Sequence, residues 1–370
     1  MQALVVGGTG PTGPFLTRGL VQRGYDVSIL HRGTHEVPET PPEVKHIHAD
    51  PHFRDTLDTA LAGRSFDLVI ATYGRLRTVA EAVWGKTPRF IGVGGSPVYR
   101  GLLEPQVNFP TGLPLPTPET AAVAQNEEHG RFARMIAQTE EAVMRGHATG
   151  KCNVTFFRYP LVYGPHQVVP TEWCVIRRIL DTRPFIILPD SGLMLQTRGY
   201  AANLAHAILL AVDQPGVAAG QIYNCGDERL LSLYQWVEII TRTLEYEWDI
   251  ICMPEAVARP AQPLIPLVGP RHHCILDLTK IRTELGYKDL VPIEDALPKV
   301  VRWYVEHQPE RGGAIEQSLQ DPFDYTAEDQ LVATYTACVQ QLQAVPFERG
   351  SVYHPYAHPT KPGERDHRQR

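Results

Sequence analysis

Apolar residues in this chain gather in short unbroken runs set between stretches with helical spacing. Leu4-Val5-Val6, Asp26-Val27-Ser28-Ile29-Leu30, Phe66-Asp67-Leu68-Val69-Ile70-Ala71, Arg89 to Gly95 and Asn153 to Arg158 are each too short for a helix. With almost no polar alternation, they read as strands covered on both faces. Glu43 to Asp50 alternates polar and apolar positions and reads as a further strand, third in the order. Between these runs, apolar residues recur at helical intervals in Phe15 to Val21, Phe53 to Leu61, Val79 to Trp84 and Arg131 to Arg145. Strands that alternate with helices pair in parallel, so the pattern predicts an α/β fold with a doubly wound parallel sheet.

The alternation loses its regularity near Pro165. Residues 1–165 are expected to form the sheet domain, with 199–226 returning to it. A smaller domain is expected from 166–198 and 227–307, including a helix that Ser232 caps and another from Leu297 to His307. The remaining 308–370 read as a tail with one helix, Ala327 to Leu342, and an end rich in proline and histidine.

Composition narrows the function. The chain has 370 residues, of which 43% are hydrophobic and 21% charged, enough for a substantial core. No apolar run approaches the twenty or so residues of a membrane span, and the chain begins directly on its first strand, so a cytoplasmic protein with no membrane partner is expected. A net charge of −6 argues against a nucleic-acid partner. Six cysteines without a CxxC pair read as reduced thiols, and no metal site is expected. A small-molecule substrate is the expected partner; a homodimer is left open.

The chemistry starts at the first turn. Gly7-Gly8-Thr9-Gly10-Pro11-Thr12-Gly13 joins a strand to a helix. Glycines there permit a sharp turn and close approach of backbone N–H groups to a pyrophosphate at the positive end of the helix. Gly7, Thr9, Gly10, Pro11, Thr12 and Gly13 are therefore candidate dinucleotide contacts. At the end of the second strand, where an acid ordinarily receives the ribose hydroxyls, the chain has His31-Arg32. An arginine there can pair with a 2′-phosphate, so NADP(H) is favoured over NAD(H). Asp50 and Ala71, at the ends of the third and fourth strands, complete the set.

These blocks, followed by Val98-Tyr99-Arg100-Gly101, Arg158-Tyr159-Pro160-Leu161-Val162-Tyr163-Gly164-Pro165, Arg198 to Ala205, Tyr223 to Gly226 and Asp277 to Tyr287, resemble the extended short-chain dehydrogenase/reductase family over residues 3–307. Its branch of nucleotide-sugar epimerases and dehydratases is the nearer likeness. The resemblance implies a Rossmann-type domain, a nicotinamide cofactor along the sheet edge and a substrate held between two domains. It also implies a Tyr-x-x-x-Lys pair with a Ser or Thr, and here the chain departs. No Tyr-x-x-x-Lys occurs anywhere in it. If Glu140 fills the family's glutamate position, Phe132 and Ile136 replace the pair; if Glu141 does, Ala133 and Ala137 replace it. Gly95 stands at the hydroxyl site, one residue before Ser96. Leu161 replaces the asparagine of sugar-nucleotide enzymes, and the diphosphate-gripping arginine has only Arg271, His272 and His273 as counterparts.

Three readings follow. The first is an NAD(P)-dependent oxidoreductase or epimerase-like enzyme on a carbonyl, enone or sugar-type substrate, with Tyr99, Tyr73, Ser96 or His129 supplying the proton. The second is an isomerase or lyase that needs no such pair. The third is a sensor, scaffold or assembly protein that binds nucleotide without turnover. Trp173, Leu193, Met194, Leu195 and Trp236 suit an apolar substrate or, equally, a core.

Overall fold

The computed structural model describes residues 1–34, 36–265, 272–347 and 358–369. The chain runs β1 (Gln2–Val6), α1 (Gly13–Gln22), β2 (Asp26–His31), β3 (Lys45–His48), α2 (Arg54–Ala60), β4 (Leu68–Ala71), α3 (Leu76–Val83), β5 (Arg89–Gly95), α4 (Arg131–Ala148) and β6 (Asn153–Tyr159). It continues through β7 (Leu161–Tyr163), α5 (Thr171–Leu180), β8 (Phe185–Pro189), β9 (Arg198–Tyr200), α6 (Ala201–Asp213), β10 (Ile222–Asn224), α7 (Leu233–Thr243) and β11 (Asp249–Met253). The last elements are α8 (Thr279–Leu285), α9 (Ile293–Glu306), α10 (Ala314–Leu319) and α11 (Tyr325–Gln343).

Seven strands form one parallel sheet in the order β10-β6-β5-β4-β1-β2-β3. Residues that alternate along each strand feed opposite cores. Val5, Ile29 and Ile70 pack with Leu16 and Leu20 of α1, Leu204 and Ile208 of α6 and Ile281 of α8. Leu4, Leu30 and Val69 pack with Leu57 of α2, Val79 of α3 and Val143 of α4. This is the expected doubly wound Rossmann-type arrangement, and it follows from burial on both faces. β3 is the edge strand, paired only with β2, and three of its four residues are exposed. Beyond β6, two-stranded parallel sheets, β7 with β9 and β8 with β11, join α5, α7 and α9. Ser232 caps α7 as expected, in a reciprocal box with Gln235.

Met1–Phe323 forms one compact unit and Asp324–Arg370 a second. The tail therefore begins later than its periodicity suggests. Residues 308–323 are held to α5 by charge: Arg177 donates to Glu316, and Arg178 makes two hydrogen bonds to Asp321 at 2.7 and 3.1 Å, all four residues being buried. A six-residue helix shows little apolar period, so a reading by period passes over α10. Among the described residues, no helix is long and apolar enough to cross a membrane.

Candidate functional site

The glycine loop lies between the carboxyl end of β1 and the start of α1. Gly7 adopts φ +91°, and a Cβ there would lie 2.3 Å from Tyr73 Cβ. At Gly13 a Cβ would fall 2.0 Å from the Gly8 carbonyl oxygen, so α1 sits directly against the loop. Gly10 is different. Its Cβ would meet nothing closer than the Gly7 carbonyl oxygen at 3.7 Å, so protein packing does not demand glycine there. Thr12 stands at the helix N-cap, and Pro14 in the first turn costs no hydrogen bond. Gly13→Ala sets a methyl against backbone that cannot rotate away, and should lower stability by about 1–3 kcal/mol and weaken nucleotide binding with it. Gly216→Ala, with open space around it, is the control. Equal unfolding midpoints for the two variants would refute the packing argument.

One corner gathers the residues at the ends of β2, β3 and β4. His31 is buried, and the exposed Arg32 places its guanidinium 5.9 Å from the Tyr73 ring centre. Asp50 accepts from the His52 backbone at 3.0 Å and from its ring at 2.7 Å. These bonds, followed by the weaker pull of His52 and Arg32 charge, hold the Asp50 carboxyl below its usual range. Ala71 is fully buried, while the Thr72 amide donates to Val6 at 3.0 Å and ties β4 to β1.

The opposite end of the sheet is built on a buried charge network. Gly94 and Gly95 of β5 stand beside Arg158 and Tyr159 of β6. Arg158 donates to both Glu140 oxygens, at 2.8 and 2.6 Å, to the Tyr99 hydroxyl at 2.9 Å and to the Glu119 carbonyl at 2.9 Å. Burial alone would lower the Arg158 pKa; the Glu140 carboxylate outweighs it and leaves the guanidinium above its ordinary value. The Tyr99 hydroxyl in turn donates to Asn224 Oδ1 at 2.6 Å.

Residues 108–226 match the family model for the NAD dependent epimerase/dehydratase family. The match covers 119 of the 370 residues, and over that stretch the chain is similar to the family. A chloroplast stem-loop binding protein of 41 kDa (b) from Arabidopsis thaliana is 26% identical over 245 residues, which span 62% of this chain and 59% of that protein. A UDP-glucose 4-epimerase structure from Thermotoga maritima, determined with UDP-glucose, superposes with a TM-score of 0.67 at 18% identity, covering 84% of this chain and all of that one. A dTDP-glucose 4,6-dehydratase structure from Bacillus anthracis with NAD gives 0.64 at 17% identity over 83% of this chain and 97% of that one. At these identities the two structures establish likeness of fold.

The buried network distinguishes the two adjacent glutamates of α4. Glu140 is buried on Arg158, whereas Glu141 is exposed and pairs with Arg145. Of the two glutamates weighed for the family's glutamate position, Glu140 is thus the one that the fold buries. Phe132, on the same helix, is 50% exposed. Tyr99 is fully buried under the Arg158 guanidinium, its hydroxyl is engaged by Arg158 and Asn224, and burial pushes its pKa up to about 12. Tyr73, just after β4, lies against Gly7, Arg32 and His52 beside the glycine loop. Ser96, directly after β5 and buried, keeps its place near that end. His129 accepts from the Gln125 amide in the turn before α4.

The apolar candidates divide. Trp173 and Trp236 are core, Met194 is buried and Leu193 is 65% exposed. His272 and His273 bond to backbone, at Leu102 and Leu195, as ordinary loop residues; Arg271 lies outside the described residues. Two features escaped the sequence reading. Glu172, at the start of α5, is buried with both carboxylate oxygens lacking a hydrogen bond, and burial lifts it to about 7 despite the nearby Arg198. His31, His46 and His48 converge at the ends of β2 and β3, where no metal site was expected.

Proposed function

We propose that the chain binds NADP(H) in preference to NAD(H) and uses it as an epimerase/dehydratase-type oxidoreductase on a small carbonyl, enone or sugar-type substrate. The observation that carries this reading is the loop at Gly10, where glycine is required by nothing in the protein and leaves backbone open to a pyrophosphate. Gly7, Thr9, Pro11, Thr12 and Gly13 shape that cradle, and Arg32 with His31, Asp50 and Ala71 forms its adenosine end. The bound cofactor supplies hydride chemistry. This chain's own residues hold the dinucleotide across the carboxyl ends of the strands, and Ser96 offers the hydroxyl beside the substrate.

Arg32 sets the preference through a charge-assisted bond to the 2′-phosphate. Arg32→Ala should weaken NADP(H) about tenfold or more and leave NAD(H) unchanged, read by quenching or energy transfer to the reduced nucleotide. Tighter binding of NAD(H) by the unmodified chain would overturn the preference.

A second reading, nucleotide binding without turnover, is favoured by the lack of any Tyr-x-x-x-Lys in the chain. A panel of ketones, enones and sugar nucleotides with bound NADPH separates the two: oxidation of the cofactor supports the enzyme, and binding with no turnover supports the sensor or scaffold. The stem-loop binding for which the Arabidopsis relative is named fits less well with a net charge of −6.

A further inference from the structure

We infer that His31, His46 and His48 form a binding site for a divalent first-row transition cation of the zinc and nickel class. The strand register creates the site. Parallel pairing sets His31 directly beside His48, and the two-residue period of β3 returns His46 to the same face as His48. That face belongs to the side of the sheet that α1 covers further in. β3 is the edge strand, and His46 and His48 are exposed while His31 is buried.

One ring nitrogen from each of the three lies within 4.8 Å of the others. Bonds of about 2.0–2.1 Å to one ion need nitrogens about 3.3 Å apart, which modest rotation of the two exposed rings achieves. Imidazole is the ligand such ions favour, and three of them leave an open coordination position. A Glu36 carboxylate oxygen stands 3.9 Å from His46 Nδ1, within reach as a fourth donor.

Without metal, His31 Nε2 and His46 Nδ1 share a hydrogen bond of 2.9 Å, and the Gly33 amide donates to His31 Nδ1 at 3.2 Å. Ligation through His31 Nε2 moves its proton to Nδ1 and turns the Gly33 amide away. The ion thus takes the place of the His31–His46 hydrogen bond and the Gly33 contact. It would be a neighbour of Arg32, and its binding needs no nucleotide.

The test uses the full chain without an affinity tag, stripped with a chelator and titrated with Zn²⁺ alone by calorimetry; Co²⁺ then reports coordination through its visible absorption. The expected result is saturable binding of about one ion per chain, weakened at least about tenfold in His46→Ala/His48→Ala. A variant lacking His354, His358 and His367 should bind like the original chain. Both altered positions are exposed, and the unfolding midpoint without metal confirms the variant is folded; His46→Gln and His48→Gln singly serve if it is not. No saturable binding, or variants that hold Zn²⁺ within tenfold of the original, would overturn the inference. Because the titration contains no nucleotide, either result leaves the NADP(H) reading standing or falling on its own test.

Discussion

Glu140→Ala is expected to cost about 3–5 kcal/mol of folding stability, while the same change at the next residue, Glu141→Ala, costs less than about 1 kcal/mol. The difference lies in what each carboxylate leaves behind. Glu140 takes two hydrogen bonds from Arg158, and both side chains are withdrawn from water. Removing it strands a guanidinium that also holds Tyr99 and the Glu119 carbonyl, so the link between α4, β6 and the turn after β5 fails together. Glu141 and Arg145 form an exposed pair whose charges water already screens. Urea unfolding of the two variants measures the contrast. Similar losses would show that Glu140 does not anchor α4.

Glu172→Gln is expected to stabilise the chain at pH 8 by about 3 kcal/mol and to have little effect near pH 4.5. The sign follows from burial. The folded carboxyl titrates at about 7 against 4.5 for the free group, because ionisation inside the protein lacks water and a hydrogen-bond partner. Below the unfolded value both states are protonated and no penalty exists. It grows as pH rises from 4.5 towards 7 and is complete above that. Glutamine has no charge to bury and escapes it. Arg198 limits the gain, since its guanidinium, itself lowered to about 10 by burial, gives up a nearby counter-charge. Unfolding free energies from pH 4.5 to 8.5 test this; a variant that tracks the original chain at every pH would refute it.

Much of this chain is legible from its pattern alone. Runs such as Leu4-Val5-Val6 and Leu68-Val69-Ile70-Ala71 have no polar face, which forces burial on both sides and hence helices on both. Local turn chemistry located the glycine loop and the Ser232 cap, because both act within a few residues. Tertiary structure decided the rest. Whether Tyr99 meets a substrate or a buried arginine depends on Arg158, 59 residues away, and on Asn224, 125 residues away. The binding of residues 308–323 rests on ion pairs that leave no periodic mark. His46-Ile47-His48 shows by its spacing that two imidazoles share a face, but the third arrives only through the register of β2 against β3. Periodicity reports how each element meets its surroundings; which side chains meet one another is set by pairing between distant segments, and that is a property of the folded chain.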